Sequence, residues 1–215
     1  MLDNHQLIQS LQNTFTLSIT IYKLCIKCQH GAMDRDNEFV KVLAVFAHYG
    51  FRKASMEDLA QAAEVSRQTL YKRFKTKESV LDWAVEGCIK ATHQQVSIEL
   101  NNQSASAAEC LVNAFGRWVG DIVPLLRDSP HGSEIMDLGM ESVKRTGSDF
   151  HAQFEAELAQ FLLDRKICET STEAENIAFL LHMSSKGLLL KSATRDEYQA
   201  GMSRVINTVT AVLNS

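Results

Sequence analysis

From Phe39 onward the apolar positions recur with a helical period. Phe39, Val42, Leu43, Phe46 and Ala47 fall on one face at i, i+3, i+4, i+7 and i+8. Gly50 stops that helix as a C-cap residue does. Ser55 reads as the N-cap of a second, short helix, with Glu57 and Asp58 in its first turn, where acids complement the helix dipole. That helix is expected to bury Leu59, Ala60 and Ala63. Ser66 opens a third short helix over 67–74, with Leu70 and Phe74 pointing inward at i and i+4. Thr76, with Glu78 close behind, starts a long helix through Val80, Leu81, Trp83, Ala84, Val85 and Ile89 towards Leu100.

The later pattern is helical as well, over about 105–119, 133–144, 149–165, 172–191 and 195–213. Tyr198, Met202, Val205, Ile206, Val209, Val212 and Leu213 make an unbroken apolar stripe on the last of these. The helix before it is unusually apolar, with Ile177, Ala178, Phe179, Leu180, Leu181, Met183, Leu188, Leu189 and Leu190. The chain has only two prolines and ten glycines, too few for the regular turns of a sheet-rich fold, and it shows no fixed-period repeat. An all-α fold is expected. Upstream the pattern differs: Phe15, Leu17, Ile19 and Ile21 alternate with Thr14, Thr16, Ser18 and Thr20, a period of two. Residues 1–33 are therefore read as an extension or a misassigned start ahead of Met33, poorly ordered or packed only locally.

Composition narrows the function classes. In 215 residues, 45% are apolar and 22% charged, ordinary globular usage rather than that of a disordered chain. No stretch reaches the roughly 18 uncharged apolar residues of a membrane span, and no signal peptide is read. Five scattered cysteines fit free thiols in a reducing cytoplasm. The net charge of −4 hides an asymmetry: residues 50–77 carry seven basic and three acidic side chains, a net +4, whereas 78–215 carry −8. A basic island on an acidic body places a local positive face against phosphates.

The island contains the pattern with chemical meaning. Residues 55–74 read as helix, tight turn, helix. Ala60 and Ala63 are small enough for two helices to cross closely, and Val65 plugs the turn. Ser66 satisfies the orphan amides at the start of the second helix, an end that phosphates favour electrostatically. Arg67, Gln68, Thr69, Tyr71 and Lys72 lie off the buried face and carry groups suited to base edges in a major groove.

These residues resemble the N-terminal domain of the TetR (tetracycline-repressor) family of bacterial transcription regulators over 37–82. The likeness rests on Gly50-Phe51, Ser55, Leu59-Ala60, Ala63, Val65-Ser66, Thr69-Leu70-Tyr71, Phe74, Lys77-Glu78 and Leu81. The resemblance implies a three-helix DNA-binding domain at 34–82, joined by a long fourth helix to a helical effector-binding and dimerisation domain at 83–215. It implies that Thr69 and Tyr71 touch DNA, that Lys75 or Lys77 grips phosphate, and that Ser55 caps the second helix near the DNA backbone. One position departs from the family pattern: Glu64 stands where glycine is usual, which costs on the order of 1 kcal/mol if the turn runs left-handed.

The expected partners are a palindromic double-stranded operator, a second copy of the chain bound through 172–191 and 195–213, and a small-molecule effector. Trp83, Phe115, Trp118, Met136, Met140, Phe154 and His182 are candidates to line the effector site, with a hydrophobic or aromatic ligand suited to such side chains. No cofactor or metal is expected. Cys25 and Cys28 with His30 lack the histidine directly after the second cysteine that haem attachment needs, and they lack the second pair of a structural zinc site. No nucleotide loop, nucleophile elbow or HExxH pair suggests an enzyme. The alternative from another class is a helical protein-interaction module that binds no DNA.

Overall fold

Asn37 opens the first helix by accepting a hydrogen bond from the Phe39 amide at 3.0 Å, and α1 runs Glu38–Tyr49 to a Gly50 cap at φ 78°. The computed structural model describes residues 37–147 and 149–213. The 1–33 segment, with its alternating stretch and Cys25, Cys28 and His30, lies outside the described residues. Next come α2 (Met56–Ala62), α3 (Arg67–Arg73) and the long α4 (Lys77–Leu100). Then follow α5 (Ala107–Trp118), a 3₁₀ turn (Gly120–Ile122), α6 (Val123–Asp128), α7 (Gly132–Thr146), α8 (Phe150–Asp164), α9 (Ser171–Lys191) and α10 (Arg195–Leu213). The fold is all-α: the described residues contain no strand.

Most starts follow from side-chain caps. Ser55, Ser66, Thr76, Ser106, Asp149 and Thr170 each accept from an amide in the first turn of the helix behind them. The expected 105–119 helix begins later, at Ala107, because Ser106 and Glu109 form a reciprocal capping box. The short 120–128 stretch is absent from the sequence reading. It has only a turn and a six-residue helix with Pro124 in its first turn, too short to show a period.

Two apolar cores are threaded by α4. The first joins Val42 and Phe46 of α1, Leu59 of α2, Leu70 of α3, and Val80, Leu81 and Ala84 of α4. The second joins Leu111 and Phe115 of α5, Leu158 and Leu162 of α8, Leu181 of α9, and Met202 and Ile206 of α10 to Val96 and Leu100 of α4. Gly87 on α4 makes the α1 crossing possible: a Cβ there would sit 2.2 Å from the Phe39 ring. The Tyr198 hydroxyl is buried against Ser185 Oγ at 2.6 Å, pinning α10 to α9. Cys88, Cys110 and Cys168 are free and buried. Burial pushes the Cys88 thiol up to about 12, so it stays a protonated, unreactive packing group.

The sequence reading has α4 as the connection between the two helical groups, and the structure adds a second. Ile135 of α7 is buried in the first core, and the His131 amide donates to the Ala47 carbonyl of α1 at 2.9 Å. Arg145 and Ser142 of α7 both donate to the Asp82 carboxylate of α4, at 2.5 and 2.6 Å. Among the described residues no helix is long and apolar enough to cross a membrane.

Candidate nucleic-acid interface

The turn between α2 and α3 begins at Ala63 and reverses at Glu64, whose φ is 55°. This is the left-handed backbone that the departure from glycine raised. The carboxylate there meets the Lys41 ammonium of α1 at 2.5 Å, which holds the Glu64 carboxyl below its ordinary range. Val65 is half-buried behind it. Ser66 then caps α3 by accepting from the Thr69 amide at 3.1 Å.

On α3, Leu70 alone is buried, at 2% exposure, and it anchors the helix in the first core. Arg67, Gln68, Thr69, Tyr71 and Lys72 are all exposed, with Tyr71 43% accessible despite its ring. Their arrangement has internal order. The Arg67 guanidinium lies 5.5 Å from the Tyr71 ring centre, and the Thr69 hydroxyl shares a 2.8 Å hydrogen bond with Ser66 Oγ. Ser55 is exposed at the start of α2, but its hydroxyl is occupied by the Asp58 capping box.

Lys75 and Lys77 are placed very differently. Lys75 is exposed. Lys77, expected as a phosphate grip, turns inward instead. Its ammonium donates to the carbonyls of Phe51, Arg52 and Ala54 at 2.8, 2.9 and 3.1 Å. An ammonium has three donors, so Lys77 ties the α1–α2 turn to the start of α4. Arg52 and Lys53 in that turn and Arg73 at the end of α3 are exposed too. All three belong to the basic island at 50–77.

The seven effector candidates do not converge. Trp83 packs in the first core, edge-on to Phe39 with ring centres 4.9 Å apart. Met136 and Met140 lie on α7, Met140 exposed. Phe115, Trp118, Phe154 and His182 do meet, in the second core: Trp118 stacks on Phe154 at 4.0 Å, and both face His182. Phe115 and Phe154 are fully buried as packing residues. The sequence reading missed His93, His151, Glu155 and Glu157, which surround this cluster. The available signal was the spacing of Phe150/Phe154 and His151/Glu155 at i, i+4 on α8. A groove of about 350 Å³ opens beside the cluster between α4 and α8, lined by His93, Phe150 and Ile89 among others and by none of the seven candidates. Among the described residues no group of three histidine, cysteine or acidic side chains could hold a metal ion.

Residues 43–83 match the family described as bacterial regulatory proteins, tetR family. No curated protein matches the chain. Among solved structures, a transcriptional regulator from Rhodococcus sp. RHA1 superposes with a TM-score of 0.61 at 16% identity, covering 83% of this chain and 97% of its own. A TetR-family regulator from Rhodococcus sp. gives 0.57 at 18% identity, over 82% of this chain and 97% of its own. One from Mesorhizobium loti MAFF303099 gives 0.55 at 19%, over 82% and 95%. At these identities the likeness concerns the fold. Residues 43–83, which hold α2, the turn and α3, are thus similar to the tetR family of bacterial regulatory proteins, and the chain shares the fold of these solved regulators.

Proposed function

We propose that the protein is a homodimeric repressor that binds a palindromic operator and is released from it by a small-molecule effector. The observation that carries the reading is the free outer face of α3. Five consecutive-turn side chains able to hydrogen-bond or stack stand in solvent, held there by one buried leucine. A recognition helix needs that arrangement to enter a major groove.

Dimerisation is supported by α9. Phe179 and Leu180 are 55% and 47% exposed, and Leu190 is 73% exposed. Apolar residues on both sides of a long helix call for a partner surface, and Gly187 between them has no atom within 4 Å of where a Cβ would sit. A two-fold dimer would present two α3 helices to half-sites about 34–36 Å apart, or a multiple of it. Control is supported by α4, which carries Val96 and Leu100 at the second core and Val80 and Leu81 at the first. A ligand that prefers one placement of α4 and α7 by a few kcal/mol would shift the population that fits the operator.

The experiment is selection of duplexes from a random pool, followed by salt titration of the winner. A regulator of this kind yields a palindrome and a log–log salt slope near −0.9 per phosphate neutralised. A protein-interaction module would select no duplex. A bound operator that no effector releases would leave DNA binding in place and remove the proposed control.

A further inference from the structure

The basic island at 50–77 holds three acids, and two of them have structural work. Asp58 closes the capping box of α2 with Ser55, and Glu64 pairs with Lys41 at the turn. Glu57, in the first turn of α2, instead faces the start of α3. Its carboxylate lies 3.8 Å from Arg67 Nε, and both side chains are more than half exposed. That separation is beyond hydrogen-bond reach, so each group keeps its donors or acceptors for a ligand. A carboxylate here does nothing for affinity alone. Arg52, Lys53, Lys72, Arg73 and Lys75 stand exposed in the same island, and the phosphates such cations attract repel an acid placed among them.

Arg67 has a second contact. Its guanidinium lies 5.5 Å from the centre of the Tyr71 ring, one turn further along α3, within cation–π range. The Tyr71 ring and the Glu57 carboxylate between them order the guanidinium before it meets DNA, which lowers the entropy lost when it is immobilised there. With Nε towards Glu57, the two Nη groups form its outward edge. The pair therefore presents two N–H donors beside one carboxylate acceptor.

That set has a match among base pairs. In the major groove a guanine·cytosine pair offers acceptors at guanine N7 and O6 and, beside them, a donor at the cytosine N4 amine. An adenine·thymine pair offers an acceptor at N7, a donor at N6 and an acceptor at thymine O4. It sets an amine against the guanidinium and a carbonyl oxygen against the carboxylate. A reversed cytosine·guanine pair also turns its amine to the guanidinium.

We propose that Arg67 and Glu57 together read one guanine·cytosine pair in each half-site, Arg67 on the guanine and Glu57 on the cytosine amine. The inference deepens the operator reading above and rests on it, since α3 must enter the groove for either group to reach a base. Glu57 weakens the hold on every duplex and weakens it most on the wrong pair, a repulsive element that selects.

The test is duplex selection from a random pool with the full-length parent, Arg67→Ala and Glu57→Ala. Titrations follow in which the selected pair is changed to adenine·thymine or reversed. The parent should select one guanine·cytosine pair per half-site at which each change costs about tenfold or more. Arg67→Ala should lose that preference. Glu57→Ala should bind random-sequence duplex more tightly than the parent and shrink the margin at that one position to a few-fold. Replacing that guanine by 7-deazaguanine, which lacks the N7 acceptor, should weaken the parent and leave Arg67→Ala unaffected. Glu57→Ser, suited to a first helical turn, takes its place should Glu57→Ala not fold. A Glu57 variant that binds every duplex less tightly by one factor, with the margin intact, shows a role in α2 alone and overturns the proposal. So does a selected operator with no guanine·cytosine preference that depends on Arg67. A palindrome obtained in either of those cases leaves the regulator reading standing, whereas a parent that selects no duplex removes both.

Discussion

The Lys41 ammonium of α1 sits 2.5 Å from a carboxylate oxygen of Glu64, the residue at which the α2–α3 turn runs left-handed at φ 55°. The ion pair joins the first helix to the one turn on which the angle of the reading helix depends. Glu64→Gly frees the backbone from left-handed strain, and the greater freedom of the unfolded chain opposes that gain. Its melting temperature should stay within about 4 °C of the parent. Glu64→Val puts a β-branched residue at positive φ and should lose about 1–2 kcal/mol. Equal melting of the two variants would show that the turn tolerates any side chain.

Lys75 and Lys77 lie two positions apart and should answer different assays. Lys75→Ala should leave melting unchanged and make the salt slope of operator binding shallower by about 0.9. Lys77→Ala removes the donor to three carbonyls and should destabilise by about 1–3 kcal/mol. If Lys77→Ala melts like the parent and alters only the salt slope, the inward placement of its ammonium is wrong.

Tyr71→Ala should fold normally, since the ring is largely outside the core, while weakening operator binding or shifting the preferred sequence. Unchanged affinity and preference across a duplex pool would remove α3 as the reading element.

Charge on α9 tests the dimer. Leu190→Asp and Phe179→Asp place a carboxylate on an exposed apolar face, which a monomer tolerates and a packed interface does not. Sedimentation should show the dimer of the parent lost in each variant, with helical content retained.

Stability should fall with acid in a defined window. His151 has its pKa lowered to about 4 inside the protein and titrates near 6.5 when unfolded. The unfolded chain therefore takes up that proton first as pH falls. The contribution is complete above about 6.5 and is lost progressively down to about 4. Burial is the main cause, Lys186 and His182 push the same way, and Glu155 and Asp149 oppose it. Chemical denaturation between pH 7 and 4 should show the loss, and His151→Phe should reduce it. A His151→Phe profile that overlays the parent would place the acid sensitivity elsewhere.

The helix-turn-helix was legible because its determinants are local. Ser55 and Ser66 cap within three residues of themselves, and Leu59, Leu70 and Val80 fall on faces that the period marks. The role of Lys77 was not legible, since its carbonyl partners lie 23 to 26 residues upstream. Nor was the histidine cluster, which draws His93 from α4, Trp118 from α5, His151 from α8 and His182 from α9. Trp83, grouped with Trp118 as a candidate for the effector site, belongs to the other core.

By itself the amino-acid order determined which stretches are helical, where their caps fall and which short helix carries its polar groups outward, because caps and periodicity act over one or two turns. Tertiary structure alone decided that Lys77 faces inward, that α7 forms a second bridge to α1 and α4, and that two histidines share one tryptophan. Those outcomes depend on the crossing of helices far apart in the chain, which hydrophobic burial sets without leaving a local pattern to read.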